Sequence, residues 1–95
     1  MYLRFDDKYI RSKKKISKKI SLHLINETEN IFKNNPSHIK LNLKNIICRR
    51  DKYKQSIRVV GNSGYRILLT TKDGIIYFQD IMSHDKYNNH IRSKR

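Results

Sequence analysis

Four side chains in the second half of the chain have the chemistry that a phosphodiester demands: Arg58, Arg66, His84 and Tyr87. Breaking such a link needs cations on the phosphate oxygens, a base for the attacking hydroxyl and an acid for the leaving oxygen. Arginine fits the first task, because its planar fork gives phosphate two hydrogen bonds and stays ionised. Arg58 and Arg66 flank a short turn, so adjacent strands can present both on one face. Each is also open to a plainer use, as a solvated strand residue or a partner for Asp80. A free imidazole titrates at about pH 6.5, which suits His84 to proton transfer near neutrality. Its plainer reading is one member of a Ser83-His84-Asp85 cluster that starts a helix. Tyr87, three residues on, shares a helix face with His84. There it stacks on a base, moves a proton, or simply closes the edge of the core.

Short strands must hold these groups. The stretch from Ser56 to Tyr87 reads as strand 55–60, a Gly61-Asn62-Ser63-Gly64 turn, strand 65–71, a Lys72-Asp73-Gly74 turn and strand 75–81. Both turns carry residues that tolerate positive φ, as tight hairpins require. A last helix is expected from about Ser83 to Ile91, with Arg92-Ser93-Lys94-Arg95 as a mobile tail. Upstream, Tyr2 to Phe5 form an opening strand at or near the sheet edge. Asp6 or Asp7 caps a helix running through roughly Lys15. The spacing of Ile16, Ile20, Leu24 and Ile31 predicts a second helix starting near Ser17, which Asn34, Asn35 and Pro36 close. Residues 37–54 read as a loop that docks Leu41 and Leu43 on the core. The class is α+β, β-α-α-β-β-β-α, with two helices on one face of a small twisted antiparallel sheet and the other face left for binding.

Length and charge narrow the partners. The 95 residues make one domain, 1–95. Twenty-two Lys and Arg against 8 Asp and Glu give a formal charge of +14, far above what solubility needs. Such an excess calls for a polyanion, most economically nucleic acid. Lys52 and Lys54 are expected as general electrostatic contacts to RNA. Lys13, Lys14 and Lys18, with Lys15 and Lys19, either hold ribosomal RNA, attract an acidic partner or form a solvated helix face. Cys48 is the single cysteine, so no disulfide framework and no zinc pair is expected. It reads as a reduced, partly buried thiol in the cytoplasm. The four histidines and eight acids show no metal-binding spacing, so no metal and no other cofactor is expected. No signal peptide and no membrane span are expected either.

The order of these motifs resembles the RelE/ParE superfamily of bacterial toxins from type II toxin–antitoxin systems, and its RelE-like messenger-RNA endonucleases in particular. The likeness covers nearly the whole chain. It runs through Asn35-Pro36, the Ile39-Lys40-Leu41-Asn42-Leu43 segment, the Ser56-Ile57-Arg58-Val59 strand, the Gly61 to Leu68 turn and strand, and His84, Asp85 and Tyr87. It implies a metal-independent endoribonuclease that halts translation by cleaving messenger RNA, often on the ribosome. The substrate's 2′-hydroxyl attacks the adjacent phosphate and leaves a 2′,3′-cyclic phosphate. Arg66 then matches the family's arginine after the turn, and Tyr87 lies close to its C-terminal tyrosine. Where RelE-type sites carry strand lysines, this chain has Ser56 and Arg58, with Lys54 further back, so the identity of the base stays open. The resemblance also implies a cognate antitoxin. Two alternatives stand beside it: a ParE-like inhibitor of DNA gyrase, and a non-enzymatic RNA- or DNA-binding domain.

Overall fold

The computed structural model describes residues 2–47, 49–62 and 64–94. Cys48, and Ser63 of the first turn, fall outside them. Five strands and three helices are present among the described residues: β1 (Tyr2–Phe5), α1 (Asp7–Ile16), α2 (Leu22–Asn34), β2 (Lys44–Asn45), β3 (Lys54–Arg58), β4 (Tyr65–Lys72), β5 (Ile75–Ser83) and α3 (His84–Lys94). The strands form one sheet in the order β1-β5-β4-β3-β2. The α+β architecture with two helices on the sheet is as the sequence leads one to expect, although α2 begins at Leu22 and not near Ser17; three further differences bear on the site.

First, β1 runs parallel to β5, so the sheet is mixed. The connection between them takes in both helices and β2 to β4, far longer than the crossover a parallel pairing requires. Second, residues 37–54 are not all loop. A 3₁₀ turn (Ile39–Leu41) buries Leu41, and two residues then pair with β3 as β2. Leu43 stays largely exposed. Third, the second face is not left open, because α3 lies across part of it. Leu68, Met82, Ile46 and Tyr87 form a small apolar cluster there, with Ile91 alongside. The helix also runs through Lys94, taking in most of the segment expected to be a mobile tail.

The main core lies between the sheet and α1–α2. Ile57, Ile67 and Ile81 form a cross-strand row within it. Phe78 stacks on Phe5 and meets Tyr9 and Phe32. Tyr9 donates a hydrogen bond of 2.6 Å to Glu29, which also accepts from Lys13 at 2.9 Å. This network ties α1 to α2 through buried polar atoms. Desolvation, with the Glu29 charge and hydrogen bond beside it, pushes the Tyr9 phenol far above its ordinary range.

Alternation along the strands sorts the remaining residues. Ser56 and Arg58 on β3, and Arg66 and Leu68 on β4, point to the α3 side. A bulge pairs Leu68 with Asp80 but Leu69 with Phe78, leaving Gln79 as the extra residue. Beyond it, Ile81 enters the main core while Met82 faces α3. Asp80 accepts from Ser12 at 2.8 Å and pairs with Lys8 at 3.3 Å. It therefore serves α1 and is not a partner for Arg58 or Arg66.

The two hairpin turns use the residues their backbones demand. Asp73 and Gly74 have φ of 54° and 77°, the pattern of a two-residue turn. Gly61 has φ of 86°, and a Cβ there would lie 2.9 Å from Leu24 Cδ2. Gly61→Ala is therefore expected to cost about 1–3 kcal/mol of stability. Urea denaturation of the two proteins measures it; an unchanged midpoint would show that the turn can relax.

Candidate functional site

Arg66 is the centre of the site. It is only 2% exposed, yet it sits near the beginning of β4, where the register sets it directly opposite Arg58 on β3 and Met82 on β5. Its Nε donates to Ser56 Oγ at 3.2 Å, and its Nη2 donates to Ser56 Oγ at 3.0 Å and to the Asn42 carbonyl at 2.8 Å. Asn42 offers that carbonyl from a left-handed conformation, φ 45°, which ends the 3₁₀ turn. Among the described residues no carboxylate lies within ion-pair distance of Arg66. Desolvation pulls the guanidinium below its ordinary pKa; the Tyr87 phenol works against this, and the Arg58 charge adds to it. An arginine remains ionised through shifts of this kind. The site thus holds a buried positive charge that no carboxylate among the described residues pairs with.

Tyr87 covers this charge from α3. Its phenol shares a 2.7 Å hydrogen bond with Ser56 Oγ, and the Arg66 guanidinium lies 5.1 Å from its ring centroid. His84 opens the helix, its backbone N–H donating to the Gly64 carbonyl at 2.8 Å. That bond fastens the start of α3 to the turn just before β4. The His84 side chain is exposed, and its ring lies 6.3 Å from that of Tyr87. Arg58 is half-buried and lines a cavity of about 380 Å³ with Lys40 and the Val59–Asn62 backbone turn. A second opening of about 440 Å³ lies against Tyr87, between β2 and α3.

The four residues singled out from sequence are therefore neighbours, but not four equal tips around one open cleft. Arg58 and His84 reach solvent, while Arg66 and Tyr87 are buried. Arg66 and Tyr87 both converge on Ser56, which the sequence sets where the resembled family carries a strand lysine but to which it gives no role. The signal was there: a small hydroxyl between Gln55 and Ile57, placed by alternation on the same face as Arg58.

The expected lysine contacts divide. Lys13 is a correction: its Nζ pairs with Glu29 and lies 5.8 Å from the Phe5 ring, so it holds the helices together and does not project into solvent. Lys14 and Lys18 are exposed. Beside them, Lys15, Lys19 and Lys86 rim a cavity of about 230 Å³ where the end of α1 approaches Ser83, next to His84. Lys54 shares the Ser56–Arg58 face by alternation, roughly 13 Å from Arg58 along the strand. Lys52 is exposed beyond it, against the ring of Tyr53. No cluster of three potential metal ligands occurs among the described residues, and no helix is long and apolar enough to cross a membrane.

No family model matches the sequence, and no curated protein does. Solved structures do match its fold. YafQ from E. coli superposes with a TM-score of 0.74 at 10% identity, over 90% of this chain and 94% of that one. The E. coli DinJ–YafQ toxin–antitoxin complex gives 0.72 at 11% identity, over 88% and 92%. The RelB–RelE antitoxin–toxin complex from Methanococcus jannaschii gives 0.56 at 21% identity, over 92% and 96%. The sheet, the helical pair and the closing helix around Arg66 thus make up the same fold as these structures.

Proposed function

We propose that this chain is the toxin of a type II toxin–antitoxin pair and acts as a metal-independent endoribonuclease on messenger RNA, on the ribosome, in the cytoplasm. The observation that carries the reading is the Arg66 guanidinium, buried without a carboxylate and set opposite Arg58. A cation left uncompensated in the fold lowers stability, and it becomes useful when an anion arrives. A phosphodiester lying over Tyr87 would complete the site.

In that geometry Arg58 touches the phosphate oxygens. Arg66 contributes fixed positive charge from below and holds Ser56 and Tyr87 in place. The RNA 2′-oxygen attacks phosphorus and forms the 2′-O–P bond as the P–O5′ bond breaks, giving a 2′,3′-cyclic phosphate and a 5′-hydroxyl. The 2′-hydroxyl loses a proton and the departing 5′-oxygen gains one. His84, an exposed imidazole, makes one of these transfers. Tyr87 is buried, so its part is to hold Ser56 and Arg66 in place and not to stack on a base. The antitoxin, by the charge of this chain, is an acidic protein that covers the same cations. DinJ–YafQ and RelB–RelE complexes, with the same fold, support such a partner.

The test is induction of the chain in growing cells, followed by primer extension on ribosome-bound messages. New ends carrying cyclic phosphate are expected, with His84→Ala lowering their yield about 100-fold. His84 is exposed, so this variant is expected to fold. A DNA-damage response without message cleavage would instead identify a gyrase inhibitor and remove the nuclease reading.

A further inference from the structure

Away from Arg58 and His84, at the opposite end of β3 and β4, an exposed aromatic stands between two cations. Tyr53 is 47% exposed, and the Nζ atoms of Lys52 and Lys72 each lie 5.9 Å from its ring centroid. The segment that carries it is fastened to the sheet. Asp51 accepts from the Thr70 hydroxyl and from the Tyr53 backbone N–H. Desolvation alone would raise the Asp51 carboxyl, but those two bonds, the Gln79 side chain and the Lys54 charge together hold it below its ordinary range. Asp51 is thus an anionic anchor at neutral pH, and Tyr53 is held at the sheet end.

Beside the ring is a cleft of about 290 Å³, walled by Phe32, Leu43 and Tyr53, with Gln55 and Thr71 among its polar lining. The Thr71 hydroxyl is buried there with no hydrogen-bond partner among the described residues. Gln55 donates its amide to Asn45 at 2.9 Å, which leaves its carbonyl oxygen as an acceptor. An apolar cleft with an amide oxygen in its lining, an exposed ring and cations at its lip has the chemistry of a nucleobase with its phosphates.

We infer that Tyr53, flanked by Lys52 and Lys72, is an accessory site that stacks one base of single-stranded RNA, with the Phe32–Thr71 cleft receiving the base edge. An acidic peptide would use the lysines but has no need of the exposed ring, which is why RNA is favoured. The inference rests on the reading of this chain as an RNA-acting protein, but it concerns binding alone.

The experiment uses a fluorescein-labelled 2′-O-methyl oligoribonucleotide of about eight nucleotides, which the 2′-hydroxyl mechanism cannot cleave. Anisotropy titrations are expected to show Tyr53→Ala binding about tenfold more weakly, with Tyr53→Phe close to the parent. Lys72→Gln is expected to flatten the plot of log affinity against log salt by about 0.7, the share of one phosphate on a single strand. Poly-L-glutamate is expected to compete poorly. Equal binding by parent and Tyr53→Ala, or equally strong competition by poly-L-glutamate, overturns the inference. Cleavage of a natural RNA by the same Tyr53→Ala protein, scored separately, keeps this result distinct from any failure of the nuclease reading.

Discussion

Replacing Arg66 with methionine is expected to lower RNA cleavage about 100-fold while leaving the fold as stable as before, or more so by about 1 kcal/mol. The two effects follow from one fact. Arg66 is 2% exposed and has no carboxylate within ion-pair distance among the described residues. Taking a charge out of water without a counter-ion is unfavourable, and an apolar side chain of similar length removes that penalty while filling the space. Against this stand the hydrogen bonds to Ser56 and Asn42. Ser56 keeps its bond to Tyr87, and Asn42 is exposed, so its carbonyl can turn to water. For the reaction the loss is one-sided. A unit charge roughly 6 Å from the phosphate contributes about 3 kcal/mol at an effective dielectric near 20, which is about 100-fold in rate. Cleavage rates with a short RNA and urea unfolding of both proteins check the pair. A large fall in stability would mean that Arg66 is a structural brace, and a retained rate would mean that its charge is not felt by the substrate.

The physics of the strands explains which parts of this site were legible. Arg58 and Arg66 announced themselves because a tight turn between two alternating strands leaves little freedom of register, and Gly61 with Asn62 marked that turn. His84 and Tyr87 were singled out by their side-chain chemistry, their helical spacing and the resemblance to the family's C-terminal motif. What alternation could not supply was depth. Whether an arginine at a strand start lies in solvent or under a helix depends on where the closing helix packs. That placement rests on Ile46, Leu68 and Met82 making an apolar patch on a face that looked free. The same gap hid Ser56, whose role exists only because Tyr87 comes down onto it. The mixed sheet was also beyond a local reading, since β1 pairs with β5 across some seventy residues of chain and nothing within Tyr2–Phe5 specifies the direction. Lys13 failed for a different reason. In a run of lysines no sequence rule tells which one turns inward, and the decision was made by Glu29 on the next helix.

That inward turn sets the largest expected stability effect. Glu29→Ala should destabilise the protein by about 3–5 kcal/mol, the range seen when one partner of a buried pair is removed. Glu29 is 8% exposed and accepts from both the Tyr9 phenol and the Lys13 ammonium. Its loss leaves the phenol, which is fully buried, with no acceptor, and that alone is worth about 1–3 kcal/mol. Lys13 is better placed to recover, because its stem can swing out from Phe5 to water. Glu29→Gln should therefore be milder, since an amide oxygen still accepts from Tyr9. The same network fixes an alkaline limit. Because the folded phenol's pKa is raised, the native state holds that proton more tightly than the unfolded chain does. Its contribution is complete below the unfolded value of about 10 and declines as pH rises beyond it. Urea titrations of the parent across that range should show the midpoint falling, and Tyr9→Phe should flatten the fall while lowering stability at neutral pH. A Glu29→Ala protein as stable as the parent would show that α1 and α2 are joined by apolar packing alone, with Tyr9, Glu29 and Lys13 merely sharing a gap between them.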